Sequence, residues 1–164
     1  MAENFTKPFT QQEPVAEATI ERVGEILRSG RLHRYNTLSG EASEAALLEK
    51  EYAKWQGAKY CLACASGGYA LQVALRASGL KAGDRVLANA YTLAPVPGAI
   101  HNAGGVPVFV EIDNNWHIDI ADLEAKAEAS GAKFMMLSHM RGHVGDMDAI
   151  MAIADRHGMV VVED

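Results

Sequence analysis

With 164 residues, 49% of them hydrophobic and 22% charged, the chain is long and apolar enough to bury a core, which excludes a disordered tail. A formal net charge of −6, with Lys and Arg scattered rather than clustered, argues against a nucleic-acid partner. Met1 to Pro8 lack the charged start and apolar core of a signal peptide, and no apolar run approaches the ~20 residues of a membrane span, so a cytoplasmic protein with no membrane partner is expected.

After the polar, Pro-bearing start, Ile20, Val23, Ile26 and Leu27 recur at helical spacing within Val15 to Leu27, and Gly30 would end that helix. Residues 30–40 read as a loop. A second helix is expected from about Ala42 to Trp55, with Leu48, Tyr52 and Trp55 on one face and Gly57 as the stop. The rhythm then changes to short apolar runs alternating with amphipathic stretches. Strand 60–64 leads to helix 69–78, strand 85–88, helix 96–103 and strand 106–111, then to helix 120–129, strand 133–138, helix 146–157 and strand 159–163. Strands separated by helix-length spacers predict an α/β fold with a mostly parallel sheet and flanking helices. Gly79, Gly104 and Gly158 fall where left-handed residues would close helices, and Asp119 stands at an N-cap. Asp113-Asn114-Asn115 reads as a turn, and Asp146 and Asp148 suit the start of the last helix. The expected division is an N-terminal segment with two helices, residues 1–57, and a sheet domain, residues 58–164.

Two features could carry chemistry. Between the strand 60–64 and its helix lies Ala65-Ser66-Gly67-Gly68-Tyr69-Ala70-Leu71. Paired glycines at a helix start let the backbone approach an anion, with unpaired N–H groups and the positive end of the helix dipole facing it. Alternatively, Ser66 merely caps the helix and the glycines make a tight turn. The segment matches neither G-x-G-x-x-G nor G-x-x-x-x-G-K-[ST], so the nucleotide-binding fingerprints are absent. The second feature is Asp164, which closes the run Met159 to Glu163 where a strand would emerge, and open α/β sheets bind ligands beyond such ends. A helix cap or a solvated loop acid is the alternative. An anion site plus a strand-end carboxylate is what pyridoxal phosphate (PLP) uses, for its phosphate and its protonated ring nitrogen.

Cys61 and Cys64 form a lone C-x-x-C on a predicted strand, where positions i and i+3 face opposite sides, so buried thiols are expected rather than a redox or zinc pair. His139, His143 and Asp146 lie near the same edge, but Gly142 breaks the helical geometry that i,i+4 ligands need, and no metal is expected.

The order of parts from about Gly30 to Asp164 resembles the DegT/DnrJ/EryC1/StrS family, PLP-dependent sugar aminotransferases of fold type I. The resemblance rests on Glu49 to Trp55, Ser66 to Leu71, Gly83 to Leu87, Gly105 to Asp113, and Gly142 to Ile150 leading into Val162-Glu163-Asp164. It implies that residues 58–164 are the first part of a PLP-binding large domain, with five strands counted where the family has seven. It also implies that Gly67 and Gly68 bind the cofactor phosphate and that Asp164 pairs with the pyridine nitrogen. Leu93, after Thr92, stands where an aromatic residue stacks on the ring, and offers apolar contact without a π face. Gly68 replaces a usual threonine, Asn89 a proline and Arg141 a tyrosine. The family's Schiff-base lysine follows the acid by a short stretch and is expected beyond Asp164. Lys7, Lys50, Lys54, Lys59, Lys81, Lys126 and Lys133 all lack that context.

The implied function is amino transfer from an amino acid such as glutamate to a keto group on a sugar, nucleotide sugar or cyclitol, in a homodimer whose partners are small-molecule donor and acceptor. Two alternatives stay open. One is a sugar dehydratase of the same fold with histidine in place of the lysine. The other is a non-catalytic binding or assembly module, which the joint departures at Gly68, Leu93 and Arg141 would favour.

Overall fold

The computed structural model describes Thr6, Pro8 and residues 12–164, so Lys7 lies outside the described residues. The chain divides into two compact units, residues 1–63 and 64–164.

In the first unit, α1 (Glu17–Ser29) and α2 (Glu44–Gln56) end on left-handed Gly30 and Gly57, with φ of 69° and 73°. Ser43 caps α2 by accepting the Ala46 N–H at 3.2 Å. The loop between them is tied by Arg31 to Glu41 and by a two-pronged Arg34–Glu49 pair at 2.8 and 2.9 Å. The expected apolar faces form but are not covered. Ile20, Val23 and Leu27 on α1, and Leu48, Tyr52 and Trp55 on α2, are all exposed, and only Ala53 of the two helices is buried.

The strand expected at 60–64 is absent. A strand exists only through a partner ladder, and this stretch has none among the described residues; Tyr60 and Leu62 face solvent, and the Ala63 N–H is taken by the Glu49 carboxylate at 2.9 Å. Without the pleat, the argument for fully buried thiols lapses as well. Cys61 and Cys64 are half-buried and form no disulfide.

The second unit contains four parallel strands, β1 (Arg85–Asn89), β2 (Val106–Val110), β3 (Phe134–Leu137) and β4 (Val160–Glu163), in the order β2-β1-β3-β4. Helices α3 (Gly67–Ala77), α4 (Pro95–Ala103), α5 (Ile120–Ser130) and α6 (Met147–His157) complete it. Side chains alternate across the pleat, so each central strand feeds two cores. Val86, Ala88, Phe134 and Met136 pack with Leu71 and Leu75 of α3 and Val96 and Ile100 of α4. Leu87, Met135 and Leu137 pack with Leu123 and Ala127 of α5 and Ile150 and Ile153 of α6 on the other face.

The helix caps follow the sequence. Ser66, Asp119 and Asp146 each accept an N–H from the first turn of α3, α5 and α6, and Gly104, Gly131 and Gly158 close α4, α5 and α6 with positive φ. Asp113 accepts the N–H groups of Asn115 and His117, which makes the expected turn. Among the described residues, no helix is long and apolar enough to cross a membrane.

Strand order positions the site. From β1 the chain passes through α4 to β2 on one side, then through α5 to β3 on the other side of β1, with α4 and α5 on opposite faces. That reversal opens a crevice between the carboxyl ends of β1 and β3, where open α/β sheets accept ligands.

Candidate functional site

The main chains confirm where the crevice opens. Past Asn89, β1 leans toward β2, with the Ala90 N–H bonded to Val110 O at 2.8 Å. Past Leu137, β3 leans toward β4, with the Asp164 N–H bonded to Leu137 O at 2.8 Å and the His139 N–H to Asp164 O at 2.9 Å. Between the diverging strands lie two buried polar residues, Asn89 and Ser138, 3% and 5% exposed in an otherwise apolar interior.

A polar chain runs across this floor. The Asn89 carboxamide meets both backbone groups of Ser138, donating from Nδ2 to Ser138 O at 3.0 Å and accepting the Ser138 N–H at Oδ1, 3.1 Å. The Ser138 hydroxyl donates to Asp164 Oδ2 at 3.2 Å. Its oxygen is 2.8 Å from Thr92 Oγ1. A hydroxyl has one proton, so with Ser138 donating to the carboxylate, Thr92 is the donor of that pair. Asp164 itself is exposed, and its Oδ1 has no protein partner among the described residues.

The amino end of α3 lies at the same edge. A Cβ built on Gly68 would stand 3.7 Å from Cβ of Pro95, which opens α4 just beyond β1, and one on Gly67 would meet nothing within 4 Å. Both glycines lie in the first turn of α3 rather than in a separate turn, neither has a positive φ, and Ser66 caps the helix. Ser66 Oγ takes the Tyr69 N–H and Ser66 O the Ala70 N–H, leaving those of Gly67 and Gly68 without an acceptor among the described residues. Leu93 follows Thr92 and is 63% exposed, an apolar surface beside the crevice.

The two histidines weighed as metal ligands go to different partners. His139 Nε2 lies 2.9 Å from Glu163 Oε2, whereas the His143 ring sits 6.4 Å from that of His117. Lys81 and Lys133 precede β1 and β3 at the opposite edge, and Lys133 donates to the His157 carbonyl at 2.6 Å. Lys126 is paired with Asp122.

Sequence reasoning placed Gly67, Gly68, Leu93 and Asp164, all of which the fold brings to this one edge. It missed Asn89 and Ser138 as partners, 49 residues apart. The available signal was a polar residue directly closing each of two apolar runs, Val86-Leu87-Ala88 and Phe134 to Leu137.

The DegT/DnrJ/EryC1/StrS aminotransferase family model matches residues 14–164. The chain belongs to that family. Among curated relatives, it is 37% identical over 155 residues to the pleiotropic regulatory protein of Geobacillus stearothermophilus, covering 94% of this chain and 40% of that one. It is 31% identical over 160 residues to L-glutamine:2-deoxy-scyllo-inosose aminotransferase of Streptoalloteichus tenebrarius, covering 97% of this chain and 38% of that enzyme. The crystal structure of an aminotransferase from Psychrobacter cryohalolentis superposes with a TM-score of 0.82 at 30% identity, over 95% of this chain and 38% of that one. The α/β architecture is thus that of the fold type I aminotransferases. The chain spans 38–40% of the length of the curated relatives it matches here.

Proposed function

We propose that the protein is a PLP-dependent aminotransferase that moves an amino group from an amino acid such as glutamate to a keto carbon on a sugar, nucleotide sugar or cyclitol, working as a cytoplasmic homodimer. One observation carries this reading: the unpaired α3 amides and the Asp164 carboxylate share the carboxyl edge of the sheet with a buried polar floor between β1 and β3. That donor set fits PLP, which has an anionic end and a basic ring nitrogen. Bound there, PLP would supply an electron sink for the amino-bearing carbon as it loses its C–H proton.

The chain's own residues divide the remaining work. The Gly67 and Gly68 amides would hold the phosphate at the positive end of α3, where neither residue adds a side chain of its own. Asp164 would hold the ring nitrogen and favour its protonated form, with Oδ2 already taken by Ser138. The Leu93 side chain, exposed beside the crevice, would cover an apolar ring face and keep water from it.

The test is reconstitution of the full-length protein with PLP, followed by visible absorption before and after L-glutamate or L-glutamine. The expected result is a bound-cofactor band that the donor bleaches and that a keto sugar or keto cyclitol restores. A band that no donor changes would leave a PLP-binding module without transfer, and no band at all would overturn the reading.

A further inference from the structure

The parallel ladder between β1 and β3 ends with Ala88 opposite Met136, and beyond it each strand turns to its outer neighbour. Asn89 ties the two strand ends where the gap begins to widen. Its carboxamide meets the Ser138 backbone as a peptide would, one Nδ2–H donating to the carbonyl and Oδ1 accepting the N–H. A buried carboxamide is costly unless so satisfied, and a smaller apolar residue would fill the strand end without that demand. What the tie fixes is the position of one side chain, the Ser138 hydroxyl, held between Thr92 Oγ1 and Asp164 Oδ2.

We propose that Asn89 is a positioning residue, which clips Ser138 across the β1–β3 crevice so that the Thr92–Ser138 hydroxyl pair donates to Asp164 Oδ2 and turns Oδ1 toward the ring nitrogen of the cofactor. This rests on the PLP reading above. A proton on Thr92 Oγ1 points to Ser138 Oγ, and the proton on Ser138 points to the carboxylate, so the pair is a one-way chain of donors ending on Asp164. Hydrogen bonds donated to a carboxylate fix its orientation, which helps it hold a pyridinium. Ser138 acts on Asp164 directly; Asn89 acts only through Ser138.

That hierarchy makes the proposal testable in the full-length protein by titrating PLP and recording the pH dependence of its visible band. Ser138→Ala keeps the backbone clip and removes the hydroxyl, so PLP affinity should fall roughly tenfold and the pH midpoint of the band should move. Ser138→Thr, which keeps a hydroxyl, should rescue both. Asn89→Ala should match Ser138→Ala, and the double variant should be no weaker than the weaker single variant, because the second change removes nothing further. Circular dichroism identifies any variant that has lost its fold. Should Asn89→Ala do so, Asn89→Asp keeps the acceptor for the Ser138 N–H, loses the donor to its carbonyl, and should give the same spectral shift. The proposal is overturned if Asn89 and Ser138 losses multiply, or if both variants lower the melting temperature yet bind PLP with the wild-type affinity and pH profile. A wild-type protein that binds no PLP is a different result, and it sinks the cofactor reading itself.

Discussion

Asp164 engages the protein through its backbone on both sides, to Leu137 and His139, and through one carboxylate oxygen, so its substitution should leave the fold intact. Asp164→Asn in the full-length protein is expected to lower kcat about a hundredfold or more, because an amide cannot balance a protonated ring nitrogen as a carboxylate does. A turnover equal to wild type, measured with the natural donor, would reduce Asp164 to a structural acid. At Gly68 the geometry changes the expectation drawn from glycine chemistry. A Cβ there makes an ordinary 3.7 Å contact with Pro95, and the backbone has no positive φ, so neither sterics nor conformation requires glycine. Gly68→Thr should therefore fold and should tighten PLP binding several-fold over Gly68→Ala, by adding a hydroxyl donor at the phosphate end. If Thr binds PLP no better than Ala in the same titration, α3 is not the phosphate site.

Among the elements, the β2–α5 connection buries Ile118 in the core and is otherwise held by carboxylates. Asp122 Oδ2 accepts the Glu111 N–H at 2.7 Å and lies 2.9 Å from Lys126 Nζ; the Lys126 hydrogen bond first, then the Glu111 amide, hold this carboxyl below the usual aspartate range. Asp113 is lowered mainly by the His117 N–H and further by that of Asn115. A carboxyl with a lowered folded-state pKa contributes stability that is present above its ordinary value of 3.8 and is lost as pH falls through the folded-state value. Asp122→Asn should accordingly lower the melting temperature at neutral pH and flatten its further fall below 3.8, read by calorimetry across that range. An unchanged slope would show that the connection is indifferent to this charge. The elements around it were legible in the sequence wherever the signal is local. Asp119 caps α5, Asp146 caps α6, and Gly158 ends α6, because a cap and its stop residue act within one turn. The stretch 60–64 misled for the opposite reason. Its composition suits a strand, but a ladder needs a second segment, and composition cannot supply one. The contact between Asn89 and Ser138 was illegible on the same ground, since it follows from β1 and β3 being neighbours.

At the scale of the whole molecule, the packing is distributed unevenly between the two units. Every buried apolar side chain among the described residues except Ala53 lies in residues 64–164, divided between the two faces of the sheet. Leu87 is fully buried at the centre of one face, and Leu87→Ala should cost about 2–5 kcal/mol, the usual range for a core cavity that closes only in part. Residues 1–63 have charged ties, Arg34 to Glu49 and Arg31 to Glu41; the exposed Arg31–Glu41 pair contributes little to stability, and the two-pronged Arg34–Glu49 pair ties the loop to α2 without covering an apolar face. Short helices in water depend on packing an apolar face, and those of α1 and α2 are uncovered. The two units should therefore behave differently when separated. Residues 64–164 expressed alone are expected to melt in one cooperative transition, whereas residues 1–63 alone should show weak helicity that fades gradually with temperature. Circular dichroism and calorimetry on the two pieces decide it. A cooperative transition in the 1–63 piece would mean that its helices find a core of their own, and a gradual melt in the 64–164 piece would mean that the sheet depends on the segment before it.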